Sequence, residues 1–197
     1  MTLISEFFRD IDSLWSPSSD PKIRLRLIGS TALMLQTSYE RGTKDSDVLE
    51  TDSLDDATKR RLLGLAGKGT ATSKRHRLYL DIVSRGLPFL PRPPVVHLHA
   101  ELNATLSSFE IEVLDVVDVA VSKLKRFHRD DVDDIIAMID RQRITHGALV
   151  DRFRSAVEAF SGDARAEDLP RYVANLHRME RDGFDAPPTP IELPDWI

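Results

Sequence analysis

The sequence predicts an α+β fold: a mixed β-sheet flanked by helices, with a helical C-terminal extension. Three observations carry that prediction. Short runs between residues 23 and 114 alternate apolar with polar side chains, as strands with one buried face do. Helical periodicity interrupts those runs and takes over completely from Val116 onward. No internal repeat and no low-complexity block suggests a solenoid or a long linker.

The elements follow in order. Leu3–Leu14 places Leu3, Ile4, Phe7, Phe8, Ile11 and Leu14 at helical spacing, which predicts an amphipathic helix. Residues 16–21, Ser-Pro-Ser-Ser-Asp-Pro, read as a loop. Ile23–Ile28 alternates apolar with basic residues and predicts a strand, which Gly29-Ser30 ends. Thr31–Thr37 is a short buried helix and Ser46–Leu49 a second strand. Leu54–Ala66 is a helix opened by Asp55-Asp56, acids suited to the positive end of its dipole. Gly67–Thr70 breaks the chain, and Lys74-Arg-His-Arg77 reads as a solvated turn. Arg77–Val83, Val95–Leu98 and Phe109–Leu114 are three further strands, the first two separated by the Pro-rich loop Gly86–Pro94. Glu110 and Glu112 read as solvated edge charges, and His97 and His99 as residues of one strand face. Helices are expected over Val116–Phe127, Asp131–Arg141, Ala148–Phe160 and Asp168–Glu180, before an extended tail rich in proline.

The chain has 197 residues, 41% of them hydrophobic, with 27 Lys+Arg against 32 Asp+Glu and a net charge of −5. A chain of this size buries about 70% of its unfolded surface and needs no staple to fold. The expected division is an α+β core over residues 1–114, a helical part over 115–182 packed on it, and a tail over 183–197. With no cysteine, disulfides, thiolate zinc sites and cysteine nucleophiles are excluded. The longest apolar stretches fall far short of the roughly 20 residues of a membrane span. The N-terminus has early acids and no long apolar region, so a soluble, cytoplasmic protein without a membrane partner is expected.

Chemistry concentrates in two neighbouring stretches, Leu27-Ile-Gly-Ser-Thr-Ala-Leu-Met-Leu-Gln36 and Arg41-Gly-Thr-Lys-Asp-Ser-Asp-Val-Leu49. A strand runs into Gly29-Ser30 and then a helix. Glycine lets a ligand approach the backbone closely, and Ser30 with the first-turn amides suits phosphate oxygens. Asp45 and Asp47 follow at period two, on one side of the next strand. Two adjacent carboxylates repel, so a hard cation such as Mg²⁺, which takes one or two carboxylates plus substrate phosphates, explains the pair. Asp81 lies mid-strand on the face of Tyr79 and Val83, where a lone acid costs stability unless paired or metal-bound. Plainer readings exist: a capped turn at Gly29-Ser30, solvated turn acids at 45 and 47, an Arg-paired Asp81, a surface Lys123, and Asp130–Asp134 as helix-opening acids.

Taken together, these motifs resemble the nucleotidyltransferase superfamily, with its polymerase-beta-like fold. The run Arg41-Gly-Thr-Lys-Asp-Ser-Asp47 is similar to the Arg-x-Thr-x-Asp-hydrophobic-Asp of the abortive-infection type enzymes, which are bacterial toxins with uncharacterised relatives. The resemblance continues in Val116–Lys125 and Arg129–Asp134 and covers roughly Ile23 to Ile139. Ser46 stands where the family motif carries a hydrophobic, core-facing residue. The resemblance implies Asp45, Asp47 and Asp81 as catalytic metal ligands for Mg²⁺. It implies Gly29, Ser30 and Thr31 at the triphosphate, and Lys123 as an active-site lysine near Asp131 or Asp134. The implied reaction moves a nucleoside monophosphate from an NTP such as ATP to a hydroxyl of tRNA or other RNA, a protein or a small molecule. A toxin–antitoxin pair, with an antitoxin as partner, is the implied setting. The alternative is a catalytically silent binding or regulatory module that keeps this fold.

Overall fold

The structure, a computed structural model, describes residues 2–16 and 21–196. Residues 17–20, most of the first expected loop, lie outside the described residues. Strands β1 (Ile23–Leu27), β2 (Asp45–Leu49), β3 (Tyr79–Val83), β4 (Val96–Leu98) and β5 (Phe109–Leu114) build one five-stranded sheet in the order β3-β2-β1-β5-β4. The sheet is mixed: β1 is antiparallel to β2 and parallel to β5, β2 is parallel to β3, and β4 is antiparallel to β5.

Paired residues in register share a face, and alternation separates the two faces by chemistry. One face carries Leu25, Leu27, Ser46, Val48, Leu80, Ile82, Phe109, Ile111 and Val113. The other carries Arg24, Arg26, Asp45, Asp47, Tyr79, Asp81, Glu110 and Glu112. Helix α1 (Leu3–Leu14) buries Ile4, Phe7, Phe8 and Ile11, and the Trp15 ring beyond it meets Phe109 edge-on at 5.1 Å. Asp12 of α1 accepts the amides of Ser107, Ser108 and Phe109, which ties the helix to the start of β5.

Helices α2 (Gly29–Gln36) and α3 (Asp56–Ala66) form where helices are expected over Thr31–Thr37 and Leu54–Ala66, with Asp55 capping α3 through the amide of Thr58. The stretch expected as a solvated turn is instead helix α4 (Ala71–His76). Thr70 caps it by accepting the amide of Ser73, and the His76 ring packs on Phe7 while bonding Asp10 at 2.8 Å. Six residues are too few for a periodic signal; the cap and the contacts with α1 make the helix. The His76 hydrogen bond, with Arg75 beside it, holds the Asp10 carboxyl below its ordinary range.

Two further expectations are corrected here. Glu110 and Glu112 are not edge charges, because β5 lies between β1 and β4. Register sets them opposite Arg24 and Arg26, and Glu112, buried, receives Arg26 at 2.8 Å and Arg24 at 3.2 Å. His99 is not a strand residue: it caps helix α5 (Ala100–Asn103), its Nδ1 accepting the amide of Leu102, so only His97 belongs to β4.

The chain divides into two units, Met1–Leu87 with Val96–Leu114, and Pro88–Val95 with Asp115–Ile197. The second contains α6 (Val116–Arg126), α7 (Arg129–Asp140), α8 (His146–Phe160), a 3-10 helix Ala164–Asp168 and α9 (Leu169–Phe184). Part of the Pro-rich loop belongs to its core, because Phe89 is fully buried against the rings of Phe153, Phe160 and Tyr172. Buried Asp118 joins the pieces by accepting the amide of Val95 at 2.7 Å and the Arg152 guanidinium at 2.6 Å. Beyond α9 the chain is extended, and buried Glu180 holds it through the amide of Thr189. Among the described residues no helix is long and apolar enough to cross a membrane.

Ser46 lies fully buried on the apolar face, and its Oγ has no hydrogen-bond partner. An orphaned buried hydroxyl costs about 1–3 kcal/mol. Ser46→Ala is therefore expected to unfold no earlier than the wild type in urea, and to gain about 1 kcal/mol if the site collapses around the methyl. A loss of stability would show that the hydroxyl is satisfied.

Candidate active site

The site grows from the end of β1. The amide of Ile28 donates to the Asp47 carbonyl at 2.9 Å, which carries the sheet one step past Leu27. Gly29 then turns the chain at φ +64°, and α2 begins. A side chain is strained in this left-handed region. A Cβ on Gly29 would also stand 2.9 Å from Asp47 Oδ2, so the carboxylate rests against bare backbone. The N-cap, Ile28, offers no side-chain bond to the first-turn amides of α2. Thr31, expected at the phosphates, has a buried side chain whose hydroxyl donates to the Asp45 carbonyl at 3.3 Å. It steadies β2 from below.

Asp45 is exposed and Asp47 half-buried on the charged face of β2. Thr43 donates its hydroxyl to Asp45 Oδ1 at 3.0 Å and to the Asp45 carbonyl at 3.1 Å, and so orients that carboxylate. Asp81 lies directly opposite Asp47 in the parallel β2–β3 register. Its Oδ1 accepts the amide of Ile82 at 2.9 Å. Among the described residues neither Asp45 nor Asp81 meets a cation; both are held by neutral donors. Tyr79 lies opposite Asp45. Desolvation, followed by the charges of Asp45, Asp81 and Asp47, pushes its hydroxyl above the ordinary tyrosine range. Thr43 and Tyr79 are the site residues that sequence reasoning passed over. Each stands two positions before a singled-out acid, which is the available signal.

These residues fit Mg²⁺. The donors are hard carboxylate oxygens, two of the acids lack a protein cation, and Gly29 leaves a cradle that a Cβ would fill. Among the described residues no group of three or more His, Cys, Asp or Glu side chains is gathered to hold a metal. Asp45, Asp47 and Asp81, expected together as metal ligands, thus do not form such a three-carboxylate group, and Mg²⁺ ordinarily takes only one or two carboxylates.

Lys123, Asp131 and Asp134 belong to the helical unit. Lys123 is buried on α6, with Asp134 of α7 at 2.8 Å and Asp131 at 3.2 Å. Asp131 also takes both Arg126 nitrogens at 2.8 Å and the amide of His128, closing a capping box. Burial pushes the Asp131 carboxyl up, but the Arg126 bonds and the Lys123 charge outweigh it and hold it below its ordinary value.

A family model described as "Nucleotidyltransferase of unknown function (DUF6036)" matches residues 4–174. The chain belongs to this family. The match to DUF6036 begins in α1 and ends inside α9, well beyond the Ile23–Ile139 stretch of the motif resemblance. It therefore embraces the sheet, the glycine turn and most of the helical unit. Searches of curated proteins and of solved structures returned no match.

Two outcomes follow from the geometry. Gly29→Ala is expected to lose about 1–2 kcal/mol in chemical denaturation from the left-handed backbone alone. It is also expected to displace the Asp47 carboxylate, visible as a changed Asp47 side-chain NMR resonance. Lys123→Met leaves two buried carboxylates short of a cation and is expected to cost about 3–5 kcal/mol in the same measurement. A loss within 0.5 kcal/mol or so, the range of ordinary surface substitutions, would mean the pair does not hold α6 to α7.

Proposed function

We propose that this protein transfers a nucleoside monophosphate from a nucleoside triphosphate to an acceptor hydroxyl, with Asp45 and Asp47 holding Mg²⁺. The observation that carries the reading is the Asp47 carboxylate set against the bare backbone of Gly29, with Asp45 beside it on the same strand face. Family membership supports a nucleotide substrate.

In the proposed reaction the acceptor oxygen attacks the α-phosphorus. An O–P bond forms, the bond to the bridging oxygen of the β-phosphate breaks, and pyrophosphate leaves with that electron pair. The bound metal would offset charge on the triphosphate and its leaving group. Ser30 and the first-turn amides of α2 orient phosphate oxygens, which costs little reorganisation because the helix already points them. Thr43 keeps Asp45 facing the site, and Gly29 admits the ligand to the backbone. Asp81, opposite Asp47, takes the proton of the attacking hydroxyl on its second carboxylate oxygen. Lys123 has no phosphate in this scheme, because Asp131 and Asp134 already offset its charge. Most of the acceleration then comes from positioning and electrostatics. The choice of RNA, protein or small molecule as acceptor, and a toxin role with an antitoxin partner, rest on the motif resemblance alone.

The test uses each labelled NTP with Mg²⁺ and total RNA or total protein as acceptor, beside an Asp45→Asn/Asp47→Asn variant. Label transfer by the wild type is expected to fall by at least about 100-fold in the variant, a loss of about 2.7 kcal/mol of transition-state stabilisation. Transfer that survives the double substitution would sink the assignment. Tight Mg²⁺–NTP binding with no transfer to any acceptor would identify a silent binding module.

A further inference from the structure

The loop between α3 and α4 brings an uncommitted cation to the acidic face. Ala57–Leu78 contains seven Lys and Arg residues and no Asp or Glu, in a chain whose net charge is −5. Within that stretch α3 ends at Ala66 with Gly67 as its C-cap, Gly69 turns at φ +89°, and Thr70 caps α4. The two helix ends thus hold Lys68 within a four-residue turn, Gly67–Thr70. Its ammonium stands 5.9 Å from the ring centroid of Tyr79. Tyr79 is the register partner of Asp45 and shares its face with Asp47 and Asp81.

Lys68 is exposed, and among the described residues no carboxylate and no hydrogen-bond acceptor pairs with its ammonium. Elsewhere in this unit an ammonium closes directly onto carboxylates, as Lys59 does with Glu50 at 2.6 Å and Asp56 at 2.7 Å. Here the aromatic ring steadies the cation instead, through its π face. The result is a positive charge held at the ring that stands opposite Asp45 in the sheet, with no carboxylate pairing it among the described residues. A ligand that presents several negative charges and shares a metal with those carboxylates is complementary to that arrangement.

We propose that Lys68 binds the terminal phosphates of the nucleotide substrate, with Tyr79 as the positioning residue that keeps its ammonium over the acidic face. The proposal rests on the nucleotidyl-transfer reading for the identity of the ligand, but not for the existence of a polyphosphate subsite. In transfer, the same contact stabilises charge on the departing pyrophosphate.

The experiment measures equilibrium binding in Mg²⁺ of three probes: inorganic tripolyphosphate, the α,β-methylene analogues of the four NTPs, and the corresponding monophosphates. Wild type is compared with Lys68→Ala, Lys68→Arg, Tyr79→Phe and Tyr79→Leu. Loss of one charge-assisted contact predicts that Lys68→Ala weakens tripolyphosphate and triphosphate analogues by about 10-fold or more, and monophosphates by less than about twofold. Lys68→Arg and Tyr79→Phe, which keep the charge and the ring, are expected to bind within about threefold of wild type, and Tyr79→Leu to fall between. Circular dichroism and thermal unfolding, expected unchanged for the exposed Lys68 variants, exclude a folding effect. Tripolyphosphate binding unchanged in Lys68→Ala, absent in the wild type, or weakened in step with monophosphate binding would overturn the proposal. A wild type that transfers no nucleotide while Lys68→Ala still loses tripolyphosphate would instead overturn the transfer reading and leave this subsite standing.

Discussion

Alternation along the strands is the constraint on which the rest of this fold depends. Successive side chains of a strand point to opposite faces, so each strand must commit one set of residues to the interior and one to the other side. In β1 that choice puts Leu25 and Leu27 inside and Arg24 and Arg26 outside. Register propagates the choice across the sheet. Ser46 and Val48, Leu80 and Ile82, and Phe109, Ile111 and Val113 all join the leucines, while the carboxylates of β2 and β3 join the arginines. A slip of one residue in β2 or β3 would bury Asp47 or Asp81 among aliphatic side chains, at a cost of several kcal/mol per unpaired charge.

The charged face then separates into two neighbourhoods. On β1 and β5 every acid has a guanidinium opposite it, and the ladder of Arg24, Arg26, Glu110 and Glu112 closes on itself. On β2 and β3, among the described residues, the acids Asp45 and Asp81 meet a threonine hydroxyl and a backbone amide but no cation. Neutral donors orient a carboxylate without cancelling its charge. The glycine turn makes room for the carboxylate, since a side chain at Gly29 would collide with Asp47. Charge left unbalanced, next to backbone left uncovered, is the physical basis for reading this corner as a site.

The helical unit handles buried charge in the opposite way. Asp118 meets Arg152, Asp131 and Asp134 meet Lys123, and Glu180 meets His146 and the amide of Thr189. Each acid is dehydrated and each has its partner, so these groups bind elements together: α6 to α7 and α8, and the extended tail to α9. Asp45 and Asp81 differ from these acids in that, among the described residues, no cation of the chain faces them.

Much of this was legible in the chain itself. The α+β class, the strand Phe109–Leu114, the helix Leu3–Leu14 and the shared face of Asp45 and Asp47 all follow from periodicity, a local property of successive residues. The glycine turn and the order of the acids were enough to suggest the nucleotidyltransferase family that the match over residues 4–174 bears out. Strand order was not legible, because nothing in Phe109–Leu114 says that β5 lies inside the sheet; hence Glu110 and Glu112 read as edge charges when they face arginines. The helix α4 and the cap at His99 depend on partners too few or too distant in sequence to leave a period. The same holds for the pairing of Asp81 with Asp47, and for Lys68 over Tyr79. The sequence by itself determined which side chains share a face, since that is set by the geometry of adjacent peptides. Only the tertiary structure decided which faces and charges meet, because that depends on strand register and loop closure between residues far apart in the chain.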